Sequence, residues 1–366
     1  MRRSRFARLT RWSTTSSRTP PNPATPSRKA QHIRINLESD VAAKGITSGF
    51  ERYSFVHQAL PEMDYVDVDT STQLFERALR APLLISCMTG GTPEAASINR
   101  RLAQTAQRFG LAMGLGSGRA LIESSGQLST FDVRDIAPGI VLFANVGAVQ
   151  FNKGYGLDEC RKLVELLRAD VLAIHLNPLQ EALQPEGDTR FSGLLRAIEA
   201  ICAKLEVPVV VKEVGAGIAS DTARRLIDAG VAGIDVAGAG GTSWSEVERY
   251  RIEEPWRARV AGAFAGWGIP TARSVVEVRA AAPHATIGAS GGIRDGVDIA
   301  KAIALGADFA GVAGGFLRAA HSSQGAADEL ALEMIEALRV AMFCIGARTI
   351  ADLRRTQRLA SNEHHD

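Results

Sequence analysis

The amino-acid sequence predicts a TIM barrel, an α/β fold in which eight parallel strands close on themselves, here with a short N-terminal extension. From residue 82 onward, short apolar strands alternate with amphipathic helices. The strand candidates number eight over about 240 residues, as in a (β/α)8 barrel. Each is apolar or β-branched almost throughout, as expected of strands that helices cover on both faces.

The elements follow one another in a regular order. The strand candidates are Pro82–Ser86, Leu111–Ser117, Ile140–Gly147, Asp170–Asn177, Val207–Gly215, Gly233–Gly240, Thr286–Gly291 and Phe309–Gly314. Helices are predicted between them at Ser97–Phe109, Asp158–Arg168, Ser192–Leu205, Ser220–Ala229 and Val297–Leu305. Gly110, Gly230 and Gly306 follow three of these helices, where a left-handed cap is favoured. No G-x-G-x-x-G follows the first strand, which argues against an open dinucleotide-binding sheet.

Composition sets limits on the function. A chain of 366 residues with 46% hydrophobic side chains can bury a large core without disulfides or structural metal. The net charge is only +2, from 42 basic and 40 acidic residues, which excludes a strongly basic nucleic-acid binder. Residues 1–27 hold six arginines and no acid, so the remainder has 36 basic against 40 acidic residues, a net charge of −4.

The chain divides into three parts. Residues 1–27 are rich in Ser, Thr and Pro and are predicted to be a disordered basic leader. Residues 28–350 form the barrel domain, and residues 351–366 form a polar C-terminal tail. No apolar run reaches the roughly 18 residues of a membrane helix. The cysteines form no C-x-x-C pair, which favours a reducing, cytoplasmic location: Cys87, Cys160, Cys202 and Cys344.

Polar and glycine-rich segments follow nearly every strand, at the end of the barrel where active sites lie. The last strands lead into Gly291-Gly292-Ile293-Arg294 and Ala313-Gly314-Gly315, and the sixth into Gly240-Gly241-Thr242. Glycines here can simply turn a strand into a loop. Their combination at three neighbouring strands favours a phosphate-bearing cofactor, held by bare backbone N–H groups with Arg294 adding charge.

Lys212 ends an apolar strand and should point into the barrel mouth, where an anion or acceptor must offset its desolvation. It is either a Schiff-base nucleophile or the partner of an electron-rich cofactor ring. The adjacent Glu213 should face the opposite way, which disfavours a simple ion pair between the two.

Two further clusters point to an anionic substrate. Segment His175–Glu181 carries an imidazole, two amides and a carboxylate, and Glu181 is the candidate ligand of a divalent cation. Pro178 predicts that this segment is a loop. Before the barrel, Arg28 and Lys29 lie close to His32 and could clamp a diphosphate, although such a pair is often only solvated surface.

The motifs in order resemble the FMN-dependent type 2 isopentenyl-diphosphate isomerases from about Arg28 to Arg318. The resemblance rests on R-K-x-x-H-I, H-x-A-L-P-E, M-T-G-G, F-A-N-V-G-A, H-L-N-P-L-Q-E, V-K-E-V-G, D-V-A-G-A-G-G-T-S-W, W-G-I-P-T and S-G-G-I-R. It implies a TIM barrel that uses FMN in its reduced form, NADPH as reductant and Mg²⁺. The implied reaction interconverts isopentenyl and dimethylallyl diphosphate, and the implied assembly is a homotetramer or homo-octamer.

The resemblance also implies a role for each matched residue. Residues implied to bind FMN are Met88, Thr89, Gly90, Ser117, Asn145, Lys212, Thr242, Gly292, Ile293, Arg294, Ala313 and Gly314. Residues implied to bind substrate are Arg28, Lys29, His32, Ser117, Arg119, Asn177 and Gln180. Gln180 is the catalytic candidate at the allylic end, and Glu181 is the implied Mg²⁺ ligand.

One position departs from the family pattern, and one rival function remains. The family usually has G-S-Q-R where this chain has Gly116-Ser117-Gly118-Arg119, so a substrate-side hydrogen bond is expected to be lost. The rival is an FMN-dependent α-hydroxy-acid oxidase or dehydrogenase, which needs a histidine base late in the barrel. Between the sixth and seventh strands, only His284 is available, and it should lie at the wrong end.

Overall fold

A closed barrel of eight parallel strands forms the centre of the computed structural model, which describes residues 28–123 and 125–362. The barrel strands, β1 to β8, are Leu83–Ile85, Ala112–Gly114, Leu142–Gly147, Val171–His175, Val209–Lys212, Gly233–Asp235, Thr286–Ser290 and Phe309–Val312. Each pairs with its neighbours in chain order, and β8 closes the barrel on β1. The predicted fold class is confirmed, and all eight strands lie within their predicted segments.

Helices surround this barrel and also cover its mouth. Helices α1 to α7 are Arg28–Glu38, Pro93–Phe109, Arg119–Glu123, Leu157–Leu167, Pro178–Leu183, Leu194–Cys202 and Ser220–Asp228. Helices α8 to α14 are Trp244–Arg251, Pro255–Gly262, Thr271–Ala281, Gly296–Ala304, Gly314–Ser322, Gln324–Cys344 and Ile350–Arg354. Gly110, Gly230 and Gly306 have φ values of 63°, 84° and 115°, the left-handed conformation predicted for them. Within the described residues, none of these helices combines the length and apolar composition needed to cross a bilayer.

The last strand of the described chain pairs with a segment that precedes the barrel. A short strand, Leu359–Ser361, pairs antiparallel with Tyr53–Phe55, which precedes the barrel. The segment predicted as a C-terminal tail therefore contributes a strand, and α14 crosses its predicted boundary. The predicted leader, residues 1–27, and residues 363–366 lie outside the described residues.

A hairpin that the sequence analysis did not detect packs against the interior of the barrel. Its strands, Thr72–Leu74 and Arg77–Leu79, are joined by two residues with positive φ, Phe75 at 47° and Glu76 at 63°. Such turns normally favour Asn and Gly. The Phe75 ring lies 6.5 Å from that of Phe143 on β3, so burial of an aromatic side chain offsets the strained turn.

An arginine–aspartate clamp occurs twice, half a barrel apart. Arg134 donates to Asp170 Oδ2 at 2.5 Å and stands before β3, while Arg279 donates to Asp308 Oδ2 at 2.6 Å and stands before β7. Both guanidinium groups also donate to carbonyl oxygens of the loop that begins each strand. Asp170 Oδ2 also accepts the backbone N–H of Leu142 on β3, and Asp308 Oδ2 accepts that of Ile287 on β7. The shared pattern R-x-x-A-P is visible in the sequence, where it went unnoticed.

Replacing Arg134 with methionine should lower the free energy of unfolding by about 3 kcal/mol, because Asp170 would lose its buried partner. Arg77 supplies a matched control, since it pairs with the same aspartate but is 46% exposed. Arg77→Met should cost less than about 1 kcal/mol. Urea unfolding of both variants measures the difference, and equal losses would contradict the role of the clamp.

Candidate active site

A cavity of about 600 Å³ opens at the carboxyl ends of the barrel strands. The structure brings every predicted site residue to its wall. They are Arg28, Lys29, His32, Met88, Thr89, Gly90, Ser117, Arg119, Asn145, Asn177, Gln180, Glu181, Lys212, Thr242, Gly292, Ile293, Arg294, Ala313 and Gly314. These residues come from the N-terminal helix and from the segments after most of the strands, so only the closed barrel can assemble them.

One side of the cavity is formed by the backbone of the glycine-rich loops after β6 and β7, here called the glycine cradle. Gly240 and Gly291 have φ values of 114° and 100°, which favour glycine. A Cβ atom at Gly291 would lie 2.1 Å from the carbonyl oxygen of Gly238, and one at Gly240 would lie 2.0 Å from the backbone nitrogen of Ser48. The loops after β6 and β7 therefore approach so closely that only glycine fits. Close packing of the two loops is thus a structural reason for these glycines, beside the phosphate-binding role predicted for them.

Helix α12 begins at this cradle and offers an anion site. Its first N–H groups have no acceptor within the helix, and the positive end of the helix dipole adds to them. A Cβ atom at Gly314 would have as nearest neighbours the Arg318 guanidinium, at 3.4 Å, and Thr242 Oγ1, at 3.6 Å. Arg294 and Arg318 both line the cavity. The donor set suits a phosphate group, and Arg318 is a cation that the motifs did not identify.

Lys212 is 9% exposed and faces the cavity from the end of β5. Its Nζ donates to the backbone oxygen of Glu213 at 2.8 Å. The Glu213 carboxylate instead accepts the backbone N–H groups of Val214, Gly215 and Ala216. The two neighbours therefore point in different directions, as predicted, and the Lys212 ammonium remains available to a ligand in the cavity.

His175 ends β4, the strand next to β5, and is paired in register with Lys212. Its Nδ1 is 2.9 Å from Asn145 Oδ1, so the proton lies on Nδ1 and Nε2 is left as an acceptor. Burial, followed by the charges of Lys212 and Arg28, lowers the pKa of His175 to about 3. The imidazole is therefore neutral at physiological pH and is a weak base.

Three cations surround one end of the cavity. Lys29 Nζ donates to the Ser117 backbone oxygen at 3.0 Å and lies 5.1 Å from the centre of the Phe131 ring. Burial, followed by the charges of Arg119 and Arg28, lowers the pKa of Lys29 to about 8. Burial and Arg119 also lower the pKa of Arg28. Such mutual repulsion indicates a site built for an anion, which would offset it.

The prediction that Pro178 makes its segment a loop is wrong. Residues Pro178–Leu183 form helix α5, with proline in the first turn, where its missing N–H is not needed. Asn177 stands at the N-cap position. Its Nδ2 donates to Gln180 Oε1 and to Glu181 Oε1, both at 3.0 Å. The helix thus sets the three predicted side chains side by side.

Glu248 on α8 is a functional candidate that the sequence analysis missed. Its carboxylate is fully buried and accepts from His32 Nε2 at 3.2 Å, from Gln180 Nε2 at 3.0 Å and from Arg251. Burial alone would raise the pKa of Glu248, but the hydrogen bond and charge of His32, the Gln180 amide and Arg251 together lower it. Its spacing of four residues from Trp244, which lines the cavity and contacts His32, is the sequence signal that places the two on the same face of α8.

Gly118, the departure from the family pattern, lies beneath the cation cluster. A Cβ atom there would lie 2.3 Å from Leu163 Cδ1, on helix α4. The side-chain direction at this position is therefore toward α4, while Ser117 and Arg119 face the cavity. The expectation that this glycine removes a substrate-side hydrogen bond is not supported by the direction of its Cβ.

Comparison with known proteins assigns the chain to a family. It is 52% identical over 332 residues to an isopentenyl-diphosphate delta-isomerase of Nostoc sp. (strain PCC 7120), covering 91% of this chain and 95% of the relative. A second isomerase of that name, from Stutzerimonas stutzeri (strain A1501), is 52% identical over 335 residues, covering 91% and 96%. The chain belongs to the isopentenyl-diphosphate delta-isomerase family.

Two further comparisons place this isomerase-family chain among flavin barrels. Residues 177–360 match a family model described as FMN-dependent dehydrogenase. Two solved structures of mandelate oxidase variants superpose with a TM-score of 0.62, at 19% and 20% identity. They cover 89% and 90% of this chain and 92% and 93% of their own. At that identity, the likeness shows a shared fold only.

His175 should stay neutral from pH 8 down to about pH 4, whereas an unperturbed histidine titrates near pH 6.5. Because the unfolded chain takes up this proton and the folded protein does not, stability should fall as the pH drops from about 6.5 toward 3. NMR of the labelled imidazole measures the titration directly. His175→Gln should remove this contribution to the pH dependence of unfolding, and an imidazolium signal at pH 6 would contradict the prediction.

Proposed function

We propose that the protein interconverts isopentenyl diphosphate and dimethylallyl diphosphate, with reduced FMN and Mg²⁺ bound in the cavity. The observation that carries the proposal is the pairing of two anion sites in one cavity. The glycine cradle and the start of α12 offer one, and the cluster of Arg28, Lys29 and Arg119 beside Glu181 offers the other. An FMN phosphate and a diphosphate substrate would occupy one site each.

The residues present fit FMN. Backbone N–H groups at the start of α12 suit its phosphate, and close packing of glycine against glycine leaves the cradle free of side chains. Lys212 supplies a buried cation that would favour an anionic reduced ring. When bound, reduced FMN would supply an electron-rich surface and the proton-transfer group. The remaining roles fall to the chain itself.

The residues also fit a magnesium ion held jointly with substrate. Among the described residues, no group of three or more His, Cys, Asp or Glu side chains could hold a metal. Mg²⁺ is commonly bound through one or two carboxylates and completed by phosphate oxygens and water. Glu181 would be that carboxylate, with Arg28, Lys29 and Arg119 neutralising the rest of the diphosphate charge.

Positioning, rather than side-chain acid chemistry, would be the work of the protein. His175 is neutral with a low pKa, and Glu248 is held as a carboxylate. Gln180 donates to Glu248 and accepts from Asn177, so its amide is locked in one orientation at the proposed allylic end. A fixed diphosphate and a fixed amide would hold the apolar tail in a reactive geometry.

We extend the proposal to the setting of the enzyme. NADPH would reduce the flavin. All four cysteines are free, as expected of a protein in the reducing cytoplasm. A homotetramer or homo-octamer would cover the exposed apolar side chains around α9, where Trp256 and Trp267 are 61% and 62% exposed. No nucleic-acid or membrane partner is proposed.

The rival hydroxy-acid oxidase is favoured by the dehydrogenase family match and by the mandelate oxidase fold. Among the described residues that line the cavity, the histidines are His32, which precedes the barrel, and His175, which ends β4, so none of them is a late histidine. His284 lies before β7, beside Arg279 and Arg354 in a separate groove at the amino ends of the strands. His175, with its low pKa, is a poor substitute for a base.

An anaerobic assay separates the two functions. Purified protein loaded with FMN should interconvert the two C5 diphosphates only when reductant and Mg²⁺ are both present. Removing either should abolish turnover, and lactate, glycolate or mandelate should leave the oxidised flavin unbleached. Bleaching by a hydroxy acid without isomerisation would favour the oxidase, and protein that cannot be reconstituted with FMN would refute the cofactor assignment.

Lys29 should impose an alkaline limit on the reaction. Because its protonated form binds the diphosphate and its pKa is lowered to about 8, kcat/KM should fall as the pH rises above about 8. Lys29→Arg should move this limb to higher pH, since a guanidinium stays charged there. Lys44→Arg, at an exposed site, serves as the control. An unchanged limb in the Lys29 variant would exclude this lysine as its source.

A further inference from the structure

Asp235 is a buried carboxylate that the proposed function leaves without a role. It ends β6, lines the cavity and is only 2% exposed. Its Oδ1 accepts a hydrogen bond from Ser290 Oγ at 2.6 Å and a longer one from the backbone N–H of Ala237 at 3.4 Å. Both donors are neutral, and burying a carboxylate costs free energy unless its charge is compensated. A cation is therefore expected close to it.

The strand register supplies that cation. Asp235 pairs with Lys212 on β5, and Lys212 pairs with His175 on β4. Neighbouring strands lie about 4.8 Å apart, and residues paired in register point to the same face of the sheet. Three ionisable side chains therefore stand in one row, and all three line the cavity. Because Lys212 and Asp235 are both buried, solvent screens the charges of this pair only weakly.

Glycine stands at both ends of this row. The register partner of Asp235 on the other side is Gly288 of β7, and that of His175 is Gly147 of β3. A Cβ atom at Gly147 would lie 2.8 Å from His175 Nε2, and one at Gly288 would lie 3.1 Å from Asp235 Cβ. The two flanking positions are therefore filled by the row itself and add no charge to it.

The other titratable groups around the row leave its charge to Lys212 and Asp235. His175 is neutral because burial, followed by the charges of Lys212 and Arg28, lowers its pKa to about 3. Burial, opposed by Lys212 and reinforced by Asp235, raises the pKa of the Cys87 thiol to about 11, so Cys87 stays protonated. Arg28 belongs to the cation cluster at the proposed diphosphate site. The row thus combines one positive and one negative charge.

This balance bears on the chemistry of the proposed flavin. Reduction gives FMN two electrons and a proton at N5, and a second proton at N1 decides whether the reduced ring is neutral or anionic. A proton-transfer group works best when its two states are close in free energy. Lys212 alone would favour the anion.

We propose that Asp235 is a positioning residue that acts through Lys212: its carboxylate offsets the charge of the lysine, so that the reduced ring can take up and release a proton at N1. This inference rests on the proposed function, because it needs FMN beside Lys212. Asp235 acts by its charge and needs no contact with the ring.

The test measures the flavin rather than turnover. FMN-loaded protein is reduced anaerobically, and its absorption spectrum against pH gives the pKa at which the neutral reduced ring becomes anionic. Asp235→Asn removes the charge but keeps the shape and the acceptor for Ser290. The anion is then favoured, so this pKa should fall by about one pH unit. At a pH where the reduced ring is anionic in both proteins, the midpoint potential should rise by about 30 mV, a tenfold change for a two-electron couple.

Two other variants separate charge from structure. Lys212→Met removes the opposite charge, so the pKa of the reduced ring should rise and the midpoint potential should fall. Glu213→Gln is the matched control, because Glu213 is a buried acid beside Lys212 whose carboxylate is bound by backbone N–H groups after β5. It should shift neither value. Equal shifts in Asp235→Asn and Glu213→Gln, or no shift in Asp235→Asn, would overturn the proposal.

A further measurement needs no variant. Infrared difference spectra between the oxidised and reduced states of unmutated protein, labelled with ¹³C-aspartate, should contain an aspartate carboxylate band that responds to the charge of the flavin. Absence of such a band, or a responding band of a protonated carboxyl group instead, would overturn the proposal even if Asp235→Asn failed to fold.

The outcomes also distinguish this inference from the proposed function. Unmutated protein that binds no FMN would refute the proposed function itself. Protein that binds FMN and responds to Lys212→Met, but not to Asp235→Asn, would refute only the role of Asp235.

Discussion

The Glu248 carboxylate is the group on which the arrangement of the cavity depends. It is fully buried, and it receives donors from His32 on α1, from Gln180 on α5 and from Arg251 on its own helix. A buried charge is tolerated only when its acceptor positions are filled. Each of these elements therefore has one orientation that satisfies Glu248. Because Gln180 Nε2 donates to Glu248, its Oε1 is left to accept from Asn177 Nδ2, which fixes the orientation of the Asn177 amide as well.

The cavity around this carboxylate is divided by charge. Basic side chains gather at one end, where burial, followed by the charge of Arg119, lowers the pKa values of Arg28 and Lys29. Glu186 partly compensates at the rim, where it pairs with Arg28 and Arg251. An anion entering this end therefore relieves repulsion as well as making hydrogen bonds. Binding and electrostatic relief act in the same direction.

The sequence predicted best what depends on local pattern. Apolar runs located every barrel strand, because strands buried on both faces need unbroken apolar sequence, and the motifs after them located the cavity wall. Contacts between distant segments were less accessible. The arginine clamp, Glu248 and the strained turn at Phe75 depend on pairings between distant segments. The repeated R-x-x-A-P marks the two arginines of the clamp but not the aspartates that pair with them. The loop prediction at Pro178 failed because proline breaks the interior of a helix but is favoured in its first turn. Only the N-cap position of Asn177 shows that Pro178 stands in a first turn.

The hydrogen bond between His32 and Glu248 joins residues 216 positions apart, and the pairing of Tyr53–Phe55 with Leu359–Ser361 joins a segment before the barrel to the last described strand. Such contacts form late, because a long loop must close before they can stabilise anything. On the ribosome, α1 emerges well before the helix that receives it. The barrel itself closes only when β8 pairs with β1, which joins Ala310 to Leu83 across 227 positions. Contacts of similar range therefore complete both the barrel and its site, and both must wait for the last third of the chain.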